Sequence, residues 1–370
     1  MYFRLCIKRT NKHNTSIMKK NLSLKARFFA FFLLLVGMAQ VLFAQKVAII
    51  DAGSSGSRLF IYEINVDGTK KVNLLYPLNA QQKSASKGKA LSKIANHTDS
   101  VKVFLHDMTS KYQCDSIDLY ILATAGMRLK PKAQADSIYA KMMQQHDING
   151  YYVKSAMTIS GQYEGLYGWL AANYDNGRIG FSKSGTQKSL KYTGEPCGIL
   201  EIGGASMQLA FPTEESHPDC LTRPGINHIY CKSYLGGGVD QIFLNTKKGK
   251  RYKFHLKLDD VSDLYGENMS FWGLGIPVNN VINGIAEQEQ KKTYKKKINA
   301  YIKSLNDFED SMKNYHPRIN SHYIKWVSKK MDLNGKLVSP NTDSSWTVGA
   351  AIDIIINKVT PEGFDHVTRK

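Results

Sequence analysis

The sequence predicts an α/β fold of two similar lobes facing each other across a cleft. One short pattern is written twice, 150 positions apart: AIIDAGSSGSRLFIY around Asp51 and GILEIGGASMQLAF around Glu201. In each copy an apolar, β-prone run ends on a carboxylate, bends through a Gly/Ser turn and leaves by a second apolar run. Aligned without a gap, Asp51 falls on Glu201, Gly53 on Gly203 and Arg58 on Gln208. Strand-like runs also alternate with segments of helical periodicity, the pattern of α/β folds. Short tandem repeats are absent, so the offset reads as a duplicated lobe and not as a solenoid.

At 370 residues the chain has room for one or two domains. Residues 1–44 read as an export signal. Lys19, Lys20, Lys25 and Arg27 precede an apolar stretch from Phe28 to Met38, and Ala44 stands as the last signal residue. An uncleaved anchor is the competing reading, but the run from Phe28 to Ala44 has 17 residues with Gln40 among them, short for a span. If the signal is cleaved, no stable membrane association is expected. The same segment inflates the formal charge of +19; without it, 42 basic residues face 31 acidic ones, a net +11. That balance suits a solubilising surface and the steering of a polyanionic substrate. Nucleic acid is not an expected partner: KKTYKKK at 291–297 reads as an exposed helix face, and no nucleic-acid module is recognisable. Four cysteines follow the signal. Cys220 and Cys231 bracket a short Pro/Gly-containing stretch and are the expected disulfide, worth about 3 kcal/mol in the chain-entropy picture. Cys114 and Cys197 have no firm pairing, and the spacings fit no familiar zinc site.

A strand begins at Lys46 (KVAII) and runs into the first turn; Ile61–Val66 continues the ladder beyond it. Leu74–Lys89 is polar and reads as a surface loop. Leu91–Lys111 has helical spacing, with Val101, Phe104, Leu105 and Met108 on one side. Ile117–Ala123 is nearly all apolar, as central parallel strands are, and ends in Thr124-Ala-Gly-Met-Arg128. Ala133–His146 reads as a helix and Tyr152–Ile159 as an extended segment. Ser160 then caps a helix with Glu164 near its first turn and Leu166, Trp169 and Leu170 as its apolar stripe. Asp175–Thr193 reads as a loop, and the second strand–turn–strand covers Gly198–Phe211. Helical pieces are expected near 275–305 and 308–330, a polar loop at Asn334–Ser345, and a final helix at Trp346–Lys358 with Val348, Ala351, Ile352 and Ile355 inward. The first lobe is placed at 45–160, completed by a C-terminal helix at 350–370, and the second at 161–349.

A strand–turn–strand with an acid at the bend suits a phosphate that carries a metal ion. Glycines let backbone N–H groups crowd an anion, and the acid faces the cation. Ser54, Ser55, Gly56, Ser57 and Arg58 bring hydroxyls, amides and a guanidinium together within five positions, enough for the oxygens of one terminal phosphate. Ser206 and Gln208 add polar side chains at the second bend, and a Gln amide orients water well because it donates and accepts at once. Asp51 and Glu201 are candidate ligands of a shared Mg²⁺ or Ca²⁺, through water where the ion keeps its shell. Glu164, set among small and polar residues at a helix start, is the candidate base for a hydrolytic water.

These segments resemble the nucleoside triphosphate diphosphohydrolase (apyrase) family of the actin-like superfamily. Its five signature regions stand here in order: DAGSSGSR at 51–58, ATAGMR at 123–128, SGQYEGLYGWLAANY at 160–174, EIGGASMQ at 201–208 and SWTVGAAI at 345–352. The resemblance implies two RNase-H-like (actin-like ATPase) lobes with a nucleotide in a central cleft. It implies a Mg²⁺- or Ca²⁺-dependent hydrolase that trims nucleoside tri- and diphosphates to the monophosphate by direct attack of water; with the signal read at 1–44 it is expected to be exported, and a monomer is expected. Glu164 is then the general base, Ser206 and Gln208 hold the water, and Asp51 and Glu201 bind the metal's water shell. Gly53, Ser54, Ser55, Gly56, Ser57 and Arg58 form one phosphate loop, Gly203, Gly204, Ala205 and Ser206 the other, and Thr124 lies beside them. One departure is Glu201, where the family usually has Asp; the extra methylene is expected to alter metal preference. Tyr265, Phe271 and Trp272 are candidates for stacking on the nucleobase, with core packing the expected use of each. Two alternatives share the lobes: an exopolyphosphatase-like hydrolase, and an actin-like protein in which slow hydrolysis switches a binding surface.

Overall fold

The computed structural model describes residues 45–65, 71–184, 187–245, 254–305, 317–340, 345–359, 361 and 363. The expected signal at 1–44 lies outside them, as does most of the chain after Val359. Contacts separate a small unit, Met1–Gln45 with Ile64–Lys71, from one compact unit of Lys46–Glu63 and Val72–Lys370. Only a few residues of the small unit are described, and everything below concerns the large one.

The first half of the chain forms strands β1 (Gln45–Ala52), β2 (Ser57–Ile64) and β3 (Val72–Tyr76), helix α1 (Ala80–Ala85), strand β4 (Lys87–Gly88) and helix α2 (Thr98–Thr109). Strand β5 (Ile117–Ala123), helices α3 (Ala125–Arg128) and α4 (Lys132–Met143), and strands β6 (Asp147–Ile148) and β7 (Tyr151–Thr158) follow. The sheet order is β3-β2-β1-β5-β7-β6, with β4 beside β2. Strands β1, β5 and β7 run parallel. Val47, Ala48, Ile49 and Ile50 have no exposed surface, which is why this central strand is written as an unbroken apolar run. The stripe expected on α2 is buried as Val101, Phe104, Leu105 and Met108. The helix itself starts later than its periodicity suggested, because His97 caps it by accepting from the Ser100 amide at 3.3 Å. The segment expected as a loop at 74–89 instead holds part of β3, all of α1 and β4; Ser57 and Arg58 pair with Gly88 and Lys87.

Helix α5 (Gly161–Asp175) leads to the hairpin β8 (Ile179–Ser184) and β9 (Gln187–Tyr192), where a loop was expected. The second sheet is built from β10 (Gly198–Ile202), β11 (Ser206–Pro212), β12 (Cys220–Arg223), β13 (Ile226–Leu235), β14 (Phe271–Leu274) and β15 (Leu337–Val338). Among the described residues, helices α6 (Val239–Asn245), α7 (Ile276–Ala286), α8 (Tyr294–Ser304), α9 (Pro317–Lys330) and α10 (Trp346–Ile352) accompany this sheet, the last continuing as one π-helical turn at Asp353–Asn357. The order is β12-β13-β11-β10-β14-β15. The two sheets share a plan: each acid-bearing strand has its turn-linked neighbour on one side and a parallel strand on the other, β2-β1-β5 and β11-β10-β14. The duplicated pattern in the sequence is thus a duplicated sheet centre.

Three expectations are corrected. Cys114, Cys197, Cys220 and Cys231 are all free thiols. Cys220 lies opposite Tyr230, so the next residue, Cys231, alternates to the other face of the ribbon and the expected bridge does not form. Helix α5 is not one-sided: Tyr163 through Asn173 are all buried, because the second sheet and α10 pack on different sides of it. In the last helix Val348 and Ile355 are only half-buried, while Ala350, Ala351, Ile352, Asp353 and Ile354 are buried. Gly349 sets the helix spacing there. A Cβ at this position would overlap the Tyr167 carbonyl, a backbone group that cannot swing aside. Gly349→Ala is expected to cost about 1–3 kcal/mol, the range for overpacking. Urea unfolding checks this, and an unchanged midpoint would mean the helices are not in contact at this point.

Candidate active site

Both acids lie at the ends of matching strands. Asp51 ends β1 beside Leu122 of β5, and Glu201 of β10 lies between Gln208 of β11 and Leu274 of β14. The turns after them meet. A Cβ built on Gly204 would stand 2.8 Å from Ser54 Oγ and 2.6 Å from Asp240 Oδ2, and one on Gly126 would stand 2.8 Å from Ser54 Cα. The two Gly/Ser turns and the 124–128 segment therefore converge, and glycine at 126 and 204 is what permits the approach. The second turn is pinned from behind. The Val239 and Asp240 amides donate to the Gly203 and Gly204 carbonyls at 3.0 Å, and the Gly203 amide donates to the Ser206 carbonyl at 3.0 Å. Gly238 must lack a Cβ because one would overlap the Gly204–Ala205 backbone. Thr124, buried, donates its amide to the Ala52 carbonyl at 3.3 Å and so holds ATAGMR against the first turn.

Exposure grades the predicted phosphate donors. Ser55 and Gly203 are exposed, while Gly53, Ser54, Gly56, Arg58 and Gly204 are half-buried. Ala205 and Ser206 are buried. Ser57 has no exposed surface and its hydroxyl has no hydrogen-bond partner, so it does not present that group to solvent as its neighbours do.

Helix α5 delivers Glu164. Ser160 caps it as expected, accepting from the Tyr163 amide at 3.3 Å. Gly161 lets the first turn lie on β13, where a Cβ would overlap the Ser233 side chain. Gly165 and Gly168 bring the helix down on β10 and β11, next to Gln208 and Glu201. Glu164, 7 % exposed, accepts from Gln208 Nε2 at 3.1 Å. The same Nε2 lies 2.7 Å from Ser206 Oγ and 3.2 Å from Ser233 Oγ, so its two hydrogens serve three acceptors. On the same oxygen, Oε2, Glu164 meets the Arg128 guanidinium at 2.7 Å.

The electrostatics are those of a carboxylate cluster. Burial pushes Asp51 up to about 7; Arg58 opposes the rise and the Glu164 charge adds to it. Burial likewise pushes Glu201 up to about 8, reinforced by the charges of Glu164 and Asp51. Glu201 Oε2 is shut from solvent without a hydrogen-bond partner. Among the described residues no group of three His, Cys, Asp or Glu side chains is close enough to hold a bare metal ion.

The structure brings Thr124, Glu164, Glu201, Ser206 and Gln208, all singled out in the sequence, together around the two turns. Sequence reasoning missed Arg128, Ser233 and Asp240. Arg128 was visible as the last residue of ATAGMR, but nothing local tied it to Glu164. Asp240 follows a Gly-Gly-Gly-Val stretch, a signal for tight backbone approach. Tyr265, Phe271 and Trp272 are buried, and Tyr265 and Phe271 belong to the second sheet's core.

A family model described as GDA1/CD39 (nucleoside phosphatase) matches residues 44–247, more than half of the chain. The chain belongs to this family. The match spans both turns, Arg128 and Glu164. Among curated proteins, nucleoside-triphosphatase ntp-1 of Caenorhabditis elegans is 29% identical over 226 residues, covering 56% of this chain and 36% of that protein. Ectonucleoside triphosphate diphosphohydrolase 1 of Rattus norvegicus is 31% identical over 255 residues, covering 59% of this chain and 48% of that protein. The matches thus span between about a third and a half of these relatives' own length. Among solved structures, the Aquifex aeolicus PPX-GPPA enzyme aligns with a TM-score of 0.50 at 14% identity, covering 84% of this chain and 99% of that one. At that identity the likeness establishes the shared actin-like fold alone.

Proposed function

We propose that this GDA1/CD39 member is an exported hydrolase that removes terminal phosphates from nucleoside tri- and diphosphates, ending at the monophosphate. The observation that carries the reading is the meeting of the Ser54 and Gly204 turns beside the buried carboxylates Asp51 and Glu164 and the half-buried Glu201, with one Glu164 oxygen left uncommitted. The terminal phosphate lies between the turns, with amides of 53–56 and 203–206 and the Arg58 guanidinium on its oxygens. Ser206 and Gln208 hold a water in line with the phosphorus. The water oxygen bonds to phosphorus, the bridging P–O bond breaks, and the released proton passes to Glu164. The shorter nucleotide and inorganic phosphate then leave.

A divalent cation fits the residues present. Two buried oxygen ligands, one of them without a partner, carry charge that burial and mutual repulsion disfavour, and hard cations take oxygen donors. Asp51 and Glu201 would hold Mg²⁺ or Ca²⁺ through its water shell. Bound there, the ion would offset the negative charge of the polyphosphate. Phosphate release from ATP, ADP, other nucleotides and inorganic polyphosphate, with Mg²⁺ or Ca²⁺, tests the reading. The expected result is turnover of both ATP and ADP to AMP, abolished by a chelator and restored by either ion. Release from polyphosphate alone would select the exopolyphosphatase alternative, and a rate indifferent to chelator would remove Asp51 and Glu201 from their metal role.

A further inference from the structure

Arg128 and Glu164 come from different signature segments and form a nearly dry ion pair, their side chains 1% and 10% exposed. We propose that Arg128 is a positioning residue for Glu164, fixing one carboxylate oxygen so that the other faces the water; this rests on Glu164 being the base. Three contacts set the geometry. Guanidinium Nη2 meets Glu164 Oε2 at 2.7 Å. Its Nε donates to the Ile159 carbonyl at 3.0 Å, on the residue just before the helix cap. Gln208 Nε2 reaches the same Oε2 at 3.1 Å. One planar group thus ties together the approach to α5 and the carboxylate in its first turn, and both partners load the same oxygen. Arg128 is in turn seated by α3, whose Gly126 packs on the Ser54 turn. The phosphate-binding turn, the guanidinium and the base are therefore one mechanical unit. Arg128 is also the counter-charge nearest the carboxylate that Asp51 and Glu201 repel. Lysine would supply the charge without the separate Nε–H that reaches the Ile159 carbonyl.

The test is a double-mutant cycle on kcat and KM for ATP hydrolysis, using Arg128→Gln, Arg128→Lys, Glu164→Gln and the Arg128→Gln/Glu164→Gln pair. Arg128→Gln is expected to lower kcat about 10- to 100-fold, as misplacement of a catalytic group does, with KM within about threefold. Arg128→Lys should recover part of the loss. In the Glu164→Gln background Arg128→Gln should lower kcat by less than about twofold, because the group it acts through is gone. Equal losses in both backgrounds, or a folded Arg128→Gln enzyme with wild-type kcat, would overturn the proposal. If Arg128→Gln does not fold alone, the double variant decides, since it leaves no buried charge unpaired. A folded double variant matching Glu164→Gln supports the pairing, and an unfolded one marks Arg128 as framework and overturns it. A Glu164→Gln enzyme with near-normal kcat is a distinct failure: it removes the base, and this inference with it.

Discussion

Glu164→Gln is expected to lower the rate of nucleotide hydrolysis by about 10²–10⁴-fold, the range for loss of a general base, while nucleotide affinity stays close to that of the wild type. The substitution keeps the shape of the side chain. Its carbonyl can still accept from Gln208, so the shape around α5 is kept, while Arg128 loses its ionic partner along with the proton acceptor. The turns at 53–58 and 203–206 are untouched, which is why binding should hold. Steady-state phosphate release gives kcat, and calorimetric titration with a nucleotide gives affinity. Near-normal turnover would remove Glu164 from the role, and a parallel loss of affinity would assign it to binding instead.

Asp353→Ala is expected to destabilise the fold by about 3–5 kcal/mol, the cost of stranding one partner of a buried ion pair. Asp353 has no exposed side-chain surface and takes both arms of Arg223, Nε at 2.6 Å and Nη2 at 2.7 Å. Asn357 Nδ2 adds a third donor at 2.7 Å. The pair fastens the π-helical turn after α10 to strand β12, and Arg223 also lies over the Tyr163 ring at 5.3 Å, beside Glu164 in the chain. Denaturant unfolding should show a lower midpoint. Replacing both partners by apolar residues, Arg223→Met with Asp353→Leu, should recover most of the loss, because no charge is then left unpaired. A single variant that loses less than about 1 kcal/mol would show that Arg223 finds water or another partner.

Much of the architecture was legible because it is written in short-range signals. The unbroken apolar runs at 47–50 and 117–123 are central parallel strands, the Ser160 cap opens α5, and the spacing of Val101, Phe104, Leu105 and Met108 is a buried stripe. Errors arose where a polar composition hid pairing. The Lys- and Ser-rich segments 74–89 and 175–193 form edge strands and a hairpin, which need only one apolar side or none. The cysteine expectation failed for a related reason: spacing brought Cys220 and Cys231 to neighbouring strands, but the register decided which face each thiol takes. Burial of α5 on every side was also invisible, since a helical stripe reports one neighbour and this helix has two.

By itself the sequence determined the repeated strand–turn–strand, the carboxylate at each bend, the cap that starts the Glu164 helix and the glycines that thin the backbone at the site. All of these are properties of a residue and its neighbours within a turn or two. Only the tertiary structure decided which charges meet: Arg128 with Glu164, and Arg223 with Asp353 across 130 positions. The physical reason is that periodicity records a side chain's face on its own element, whereas the partner across a dry interface is chosen by how separate elements pack.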